Sequence, residues 1–140
     1  MNDLLEFGKS VLKEQPFSSL LGAELTALES GSAEITLAVR EEFKQQHGFV
    51  HGGVISYLMD NCLTYAGGSM LGNSVTSEYK INYVRPAIGH KLIARATVLS
   101  IAKQQAVCEC KVFALGEKGE SLVAVALGTI IKMELTKSIK

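Results

Sequence analysis

Between two glycine pairs, Gly52-Gly53 and Gly67-Gly68, the chain runs through Val, Ile, Tyr, Leu, Met, Cys, Leu, Tyr and Ala, broken only by Ser56, Asp60, Asn61 and Thr64. The length of this run and the absence of β-breaking residues predict a helix over 54–66, closed by the second glycine pair. Its apolar positions fall on nearly all sides, the pattern of a helix enclosed by other structure. After it the periodicity changes to two. Strands are predicted over 74–84, 91–101, 105–115 and 121–133, and in the third Ala106, Cys108, Cys110 and Val112 share one face while Glu109 and Lys111 take the other. The turn Gly116-Glu117-Lys118-Gly119 joins the last two.

Before the glycine pair, two strand-like pieces flank Glu29-Ser30-Gly31-Ser32, a hairpin signal, with Ile35, Leu37 and Val39 alternating against Glu34, Thr36 and Ala38. The first 20 residues read as a helical segment: Leu4, Leu5, Gly8, Val11 and Leu12 stand near helical spacing, Asn2 or Asp3 is available as a cap, and Pro16 as a stop. No repeat or linker divides the chain, so residues 1–140 form a single domain. One enclosed helix followed by a run of antiparallel strands implies an α+β fold, a curved antiparallel sheet wrapped on a long central helix. Such a sheet leaves edge strands, which pairing between two copies would cover, so a homo-oligomer is expected, a dimer or a dimer of dimers.

Composition narrows the class. With 47% hydrophobic and 20% charged residues the chain is a globular domain, and 14 basic residues against 14 acidic ones favour neither nucleic acid nor an anionic membrane as partner. Residues 1–6 lack a basic, apolar leader pattern, and the longest mostly apolar run, 122–131, is short of a membrane span. A cytoplasmic protein is expected. Cys62, Cys108 and Cys110 lack zinc-site spacing and read as reduced core thiols. His47 and His51 stand four apart near Asp60 but in a loop, with no third ligand specified, so no metal and no cofactor is expected; His90 reads as a surface residue.

The candidate chemistry lies in Gln45 to Asp60. Asp60 places a carboxylate within an apolar helix, where it incurs a desolvation penalty unless bonded or open to a cleft. Ser56, Asp60 and Thr64 fall on one stripe at steps of four. The plainer reading of that stripe is the helix's wet edge, and the plainer reading of Gly52-Gly53 is a turn entering a helix. The alternative is chemical: the first amides of a helix have no intrahelical acceptors and can donate to a polarised carbonyl, while a carboxylate activates water. No G-x-S-x-G, phosphate loop or dinucleotide fingerprint occurs.

The arrangement Gln45-x-x-Gly48-x-x-His51-Gly52-Gly53 with Asp60 nine residues after His51, together with the strand 74–86, resembles the hotdog-fold acyl-CoA thioesterases of the phenylacetate-degradation type. The resemblance covers about residues 20–133. It implies a hotdog fold and hydrolysis of an acyl-CoA, with a medium- or long-chain or aryl acyl group, to free acid and CoA. It also implies a site shared across a dimer interface: Asp60 of one subunit as general base or nucleophile, and Gln45, His51 and Gly52 of the other at the thioester. Thr76 would help hold the water, and Gly53, Phe49 and Tyr83 would line the substrate. Position 45 is glutamine where many relatives carry asparagine, and Gln46 stands beside it. A non-catalytic acyl-CoA sensor of the same fold is the competing reading. Lys44, Lys80, Arg85 and Lys103 read as ordinary solvated charges.

Overall fold

The structure is a computed structural model and describes residues 3–134. Ten elements follow in order: helices α1 (Asp3–Lys13) and α2 (Pro16–Leu21), strands β1 (Glu24–Glu29) and β2 (Ser32–Ala38), a 3-10 turn at Glu41–Phe43, helix α3 (Gly52–Leu71), and strands β3 (Ser74–Tyr83), β4 (Lys91–Ile101), β5 (Gln105–Gly116) and β6 (Gly119–Lys132). The strands form one sheet in the order β1-β2-β4-β5-β6-β3, every pair antiparallel. The α+β layout expected from periodicity is therefore the observed one, a long helix against a six-stranded sheet.

Helix α3 is the centre of the core. Leu58, Met59, Cys62, Leu63 and Ala66 are fully buried on it, against Ile35 and Leu37 of β2, Ala94 of β4, Val112 of β5 and Ile130 of β6. Cys62, Cys108 and Cys110 are buried free thiols, the last two on the face that the alternation of β5 implied. Burial pushes the Cys62 thiol well up and that of Cys108 to about 11. Both stay protonated at neutral pH and are poor nucleophiles.

The helix differs from its expected bounds at both ends. It starts at Gly52, two residues early, and runs through Gly67-Gly68 to Leu71, capped by Gly72. The glycine pair does not end it because it serves packing instead. A side chain at Gly67 would bring its Cβ within 2.8–2.9 Å of three Ile130 carbons, so the absence of one lets helix and β6 touch. The N-terminal segment also differs. α1 does end before Pro16, at Lys13, with Gln15 extended as a residue preceding proline favours, but Pro16 also stands in the first turn of a second short helix, α2, where its missing N–H costs no hydrogen bond. Of the two candidate caps of α1, Asp3 is its first residue and Asn2 lies outside the described residues.

Gly67→Ala is expected to lower stability by about 1–3 kcal/mol through overpacking against Ile130, despite alanine's better helix propensity. Urea unfolding reads this directly, and an unchanged or raised midpoint would show that the contact has room to spare.

Candidate active site

The loop before α3 is held by backbone bonds on both sides. Val50 N–H donates to Ala87 O at 3.0 Å and His51 N–H to Phe43 O at 2.8 Å, while Lys44 and Val50 form an isolated bridge. Within it Gln45 and Phe49 close a turn, with Gly48 at φ 90°, a conformation glycine adopts without strain. The His47 N–H donates to the Gln45 side-chain oxygen. That bond fixes which end of the amide is which, and leaves the NH₂ end of Gln45 as a donor. Gln46 beside it is exposed.

His51 is the N-cap of α3. Its extended backbone, φ −61° and ψ 137°, aims Nδ1 at the Gly53 N–H, 2.8 Å away. A Cβ on Gly53 would stand 3.0 Å from that nitrogen, so the second glycine makes room for the cap. The N–H groups of Val54 and Ile55 both point to His51 O, at 3.0 and 3.5 Å. Among the described residues the Gly52 N–H is thus the first-turn donor left without an acceptor, at the positive end of the helix dipole. Tyr83 lies over it: its hydroxyl donates to Gly52 O at 3.2 Å, and its ring is 3.4 Å from where a Gly52 Cβ would be. Gln45, Phe49, Gly52, Tyr83 and Arg85 share one cleft of about 400 Å³.

Asp60 is elsewhere. It lies eight residues along α3 from Gly52, roughly 12 Å at 1.5 Å per residue, and lines a second cavity of about 650 Å³ with Thr64 and Thr76. The stripe Ser56-Asp60-Thr64 is half-buried rather than a wet edge, because it forms a polar seam with β3. Thr76 Oγ1 donates to Asp60 Oδ1 at 2.6 Å and lies 2.7 Å from Thr64 Oγ1, which is 2.9 Å from Asp60 O. Each hydroxyl has one proton. Thr76 gives its own to the carboxylate, so at the 2.7 Å contact its oxygen can only accept, and the single Thr64 proton is shared between Thr76 Oγ1 and the Asp60 carbonyl. Farther along the seam Ser56 and Tyr79 share a 2.6 Å bond.

A bulge sets this seam. The pairing of β3 with β6 shifts between Thr76 and Glu78, making Ser77 an extra residue. In a regular strand positions 76 and 79 would point to opposite faces; the bulge turns both towards α3.

One protomer therefore holds the two halves of the expected constellation in separate cavities: Gln45 and Gly52 in one, with Phe49 and Tyr83, and Asp60 with Thr76 in the other. His51 and Gly53 are exposed at the cap and tied to each other. Sequence reasoning set Arg85 aside, yet it lines the Gly52 cleft. It also gave no part to Glu14, Gln15, Phe17 and Ser18, which wall the Asp60 cavity. The local signal there is Pro16 followed by the aromatic Phe17, which by itself indicates a helix stop and no cavity wall.

Comparison with known proteins identifies the family. Residues 47–120, from the loop through α3 to the start of β6, match the family model of the Thioesterase superfamily. The chain belongs to that superfamily. It is a hydrolase acting on thioesters. This thioesterase is similar to the acyl-coenzyme A thioesterase PaaI of Escherichia coli, 30% identical over 93 residues that cover 66% of each chain. Among solved structures it is similar to a thioesterase family protein from Silicibacter pomeroyi, 27% identical with a TM-score of 0.87 over 91% of this chain and 96% of that one. The structure of the E. coli PaaI protein shares the fold, with 23% identity and a TM-score of 0.84 over 94% of each chain. The fold of this thioesterase is accordingly the hotdog fold.

Among the described residues no group of histidines, cysteines and carboxylates is arranged as metal ligands, and no helix is long and apolar enough to cross a membrane.

His51→Ala is expected to cost about 1 kcal/mol through loss of the N-cap, whereas His51→Asn, which keeps an acceptor, should stay within a few tenths of wild type. Thermal or urea unfolding of the pair decides whether the imidazole is a cap; equal midpoints for His51→Ala and wild type would show that it is not.

Proposed function

We propose that this thioesterase hydrolyses acyl-CoA, with Asp60 of one subunit facing the Gly52 amide and Gln45 of another across a dimer interface. The observation that carries the reading is the division of the site. The free helix-start amide and the carboxylate lie about 12 Å apart along one helix and line different cavities, so neither protomer alone brings donor and base to one carbonyl. A second copy with the same two halves, related by a two-fold axis, supplies each half with its complement.

In this arrangement the Gly52 N–H and the NH₂ of Gln45 hold the thioester oxygen and stabilise the charge that develops there. Asp60, one oxygen held by Thr76, takes a proton from water as that water adds to the carbonyl carbon. Collapse of the tetrahedral adduct breaks the carbon–sulfur bond, and the departing CoA thiolate takes up the proton held by Asp60, which restores the carboxylate. Direct attack by Asp60, with a mixed anhydride as intermediate, uses the same geometry and places the water in the second step. Support comes from the free amide, the oriented glutamine and the hydrogen-bonded carboxylate, together with membership of the superfamily.

Thiol release from a panel of short, medium, long and aryl acyl-CoAs tests the activity, and no rate above buffer on any of them would refute it. Asp60→Asn is expected to lower kcat by about 10²–10⁴-fold with little change in substrate affinity, and Thr76→Ala to cost less. Unchanged turnover in Asp60→Asn would remove it from the mechanism.

The shared site has its own test. Asp60→Asn and Gln45→Ala chains, each nearly inactive alone, should regain about a quarter of wild-type activity on random mixing into dimers, since one of the two sites in each mixed dimer is intact. No recovery in demonstrated mixed dimers would mean that the site lies within one subunit.

A further inference from the structure

The cavity around Asp60 is walled on one side by a segment outside the sheet, residues 14–18 at the junction of α1 and α2. That segment is tied to α3 by a hydrogen-bonded cluster. The Tyr57 hydroxyl donates to Ser18 Oγ at 2.5 Å, Ser18 Oγ donates to Gln15 Oε1 at 2.6 Å, and Asn61 Nδ2 donates to Tyr57 Oη at 3.1 Å. Ser18 is 1% exposed, one of two buried polar residues among the described ones, so the cluster is built into the wall. Burial pushes the Tyr57 phenol up, which keeps its proton in the cluster. Phe17 packs edge-on to Tyr57, centroids 5.2 Å apart at 85°, and is itself 55% exposed, bordering both cavity and solvent.

Charge separates the two cavities. The charged residues lining the Asp60 cavity are Glu14 and Asp60, both acidic, whereas the Gly52 cleft has Arg85. Phosphates are repelled from the first and attracted to the second. Pro16, Phe17, Tyr57 and Val75 give the acidic cavity an apolar surface. We propose that the Asp60 cavity takes the acyl group, an uncharged one, and that Phe17, braced on Tyr57 by the Ser18 cluster, sets the acyl length it accepts. The CoA moiety leaves by the Gly52 cleft. This assignment rests on the acyl-CoA reading of the site and adds to it which half holds which part of the substrate.

S-alkyl-CoA thioethers keep the chain but have no carbonyl to hydrolyse, so their binding is read apart from turnover. Calorimetry over increasing chain lengths would compare wild type, Phe17→Ala and Leu20→Ala, the last an exposed residue of the same short helix that does not line the cavity. In wild type and Leu20→Ala affinity should rise by about fourfold per buried methylene and level off at one limiting length; in Phe17→Ala the rise should continue for further methylenes. A terminal carboxylate on a chain within the limit should weaken binding by about tenfold or more. The same limiting length in wild type and Phe17→Ala, equal affinity for the carboxylated chain, or no binding at any length would each overturn the assignment. Thiol release measured alongside keeps the two readings distinct. Hydrolysis with an unmoved limit would remove this inference alone, and a moved limit without hydrolysis would uphold the acyl cavity while refuting the enzymatic reading.

Discussion

Burial of α3 is the constraint on which the molecule depends. Leu58, Met59, Cys62, Leu63 and Ala66 give this 20-residue helix one broad, fully buried face, which the sheet covers from β2 round to β6, while half-buried Tyr57 and Tyr65 are tied to the N-terminal segment. The enclosure is close enough that Gly67 meets Ile130 directly and Gly128 approaches Tyr79 and Leu63. Removing apolar surface from water drives this arrangement, and among the places where the helix keeps polar groups are its N-terminal end and the seam along edge strand β3.

Both places became parts of the candidate site. At the N-terminus the cap residue is a histidine whose ring satisfies the Gly53 amide and so singles out Gly52 as the open donor. At the seam the bulge in β3 gives the Asp60 carboxylate a threonine partner, in place of the bulk water that a wet edge would offer. A carboxylate held by one hydroxyl, half-buried and lining a cavity, retains acceptor capacity for water. The two acidic groups on that cavity and the single cation on the other divide the site electrostatically as well as spatially.

The short helices at the start of the chain illustrate how local signals mislead. Proline after a helical run reads as an end, and α1 does end before it, yet at the first turn of α2 it also begins a helix. The glycine pair at 67–68 reads as a C-cap, yet the tight approach of β6 uses it within the helix. The proline serves both roles, whereas for the glycine pair the contact of Gly67 with Ile130 chose between them.

Much of the fold was legible in the order of residues. The enclosed helix follows from the length of an unbroken apolar run, the hairpin at Gly31 from its turn residues, and the later strands with the inward face of Cys108 and Cys110 from alternation, because burial on a pleated strand repeats every 2 residues. The Gln45–Asp60 motif with Thr76 was legible too, as a list of residue types at set spacings. What only the tertiary structure decided is which groups meet: that Thr76 reaches Asp60 through a bulge, that residues 14–18 wall the same cavity, that Arg85 borders the opposite cleft, and that Gly52 and Asp60 do not converge within one protomer. Those relations depend on strand register, a one-residue irregularity and contacts between segments far apart in the chain, and no local period in a sequence encodes them.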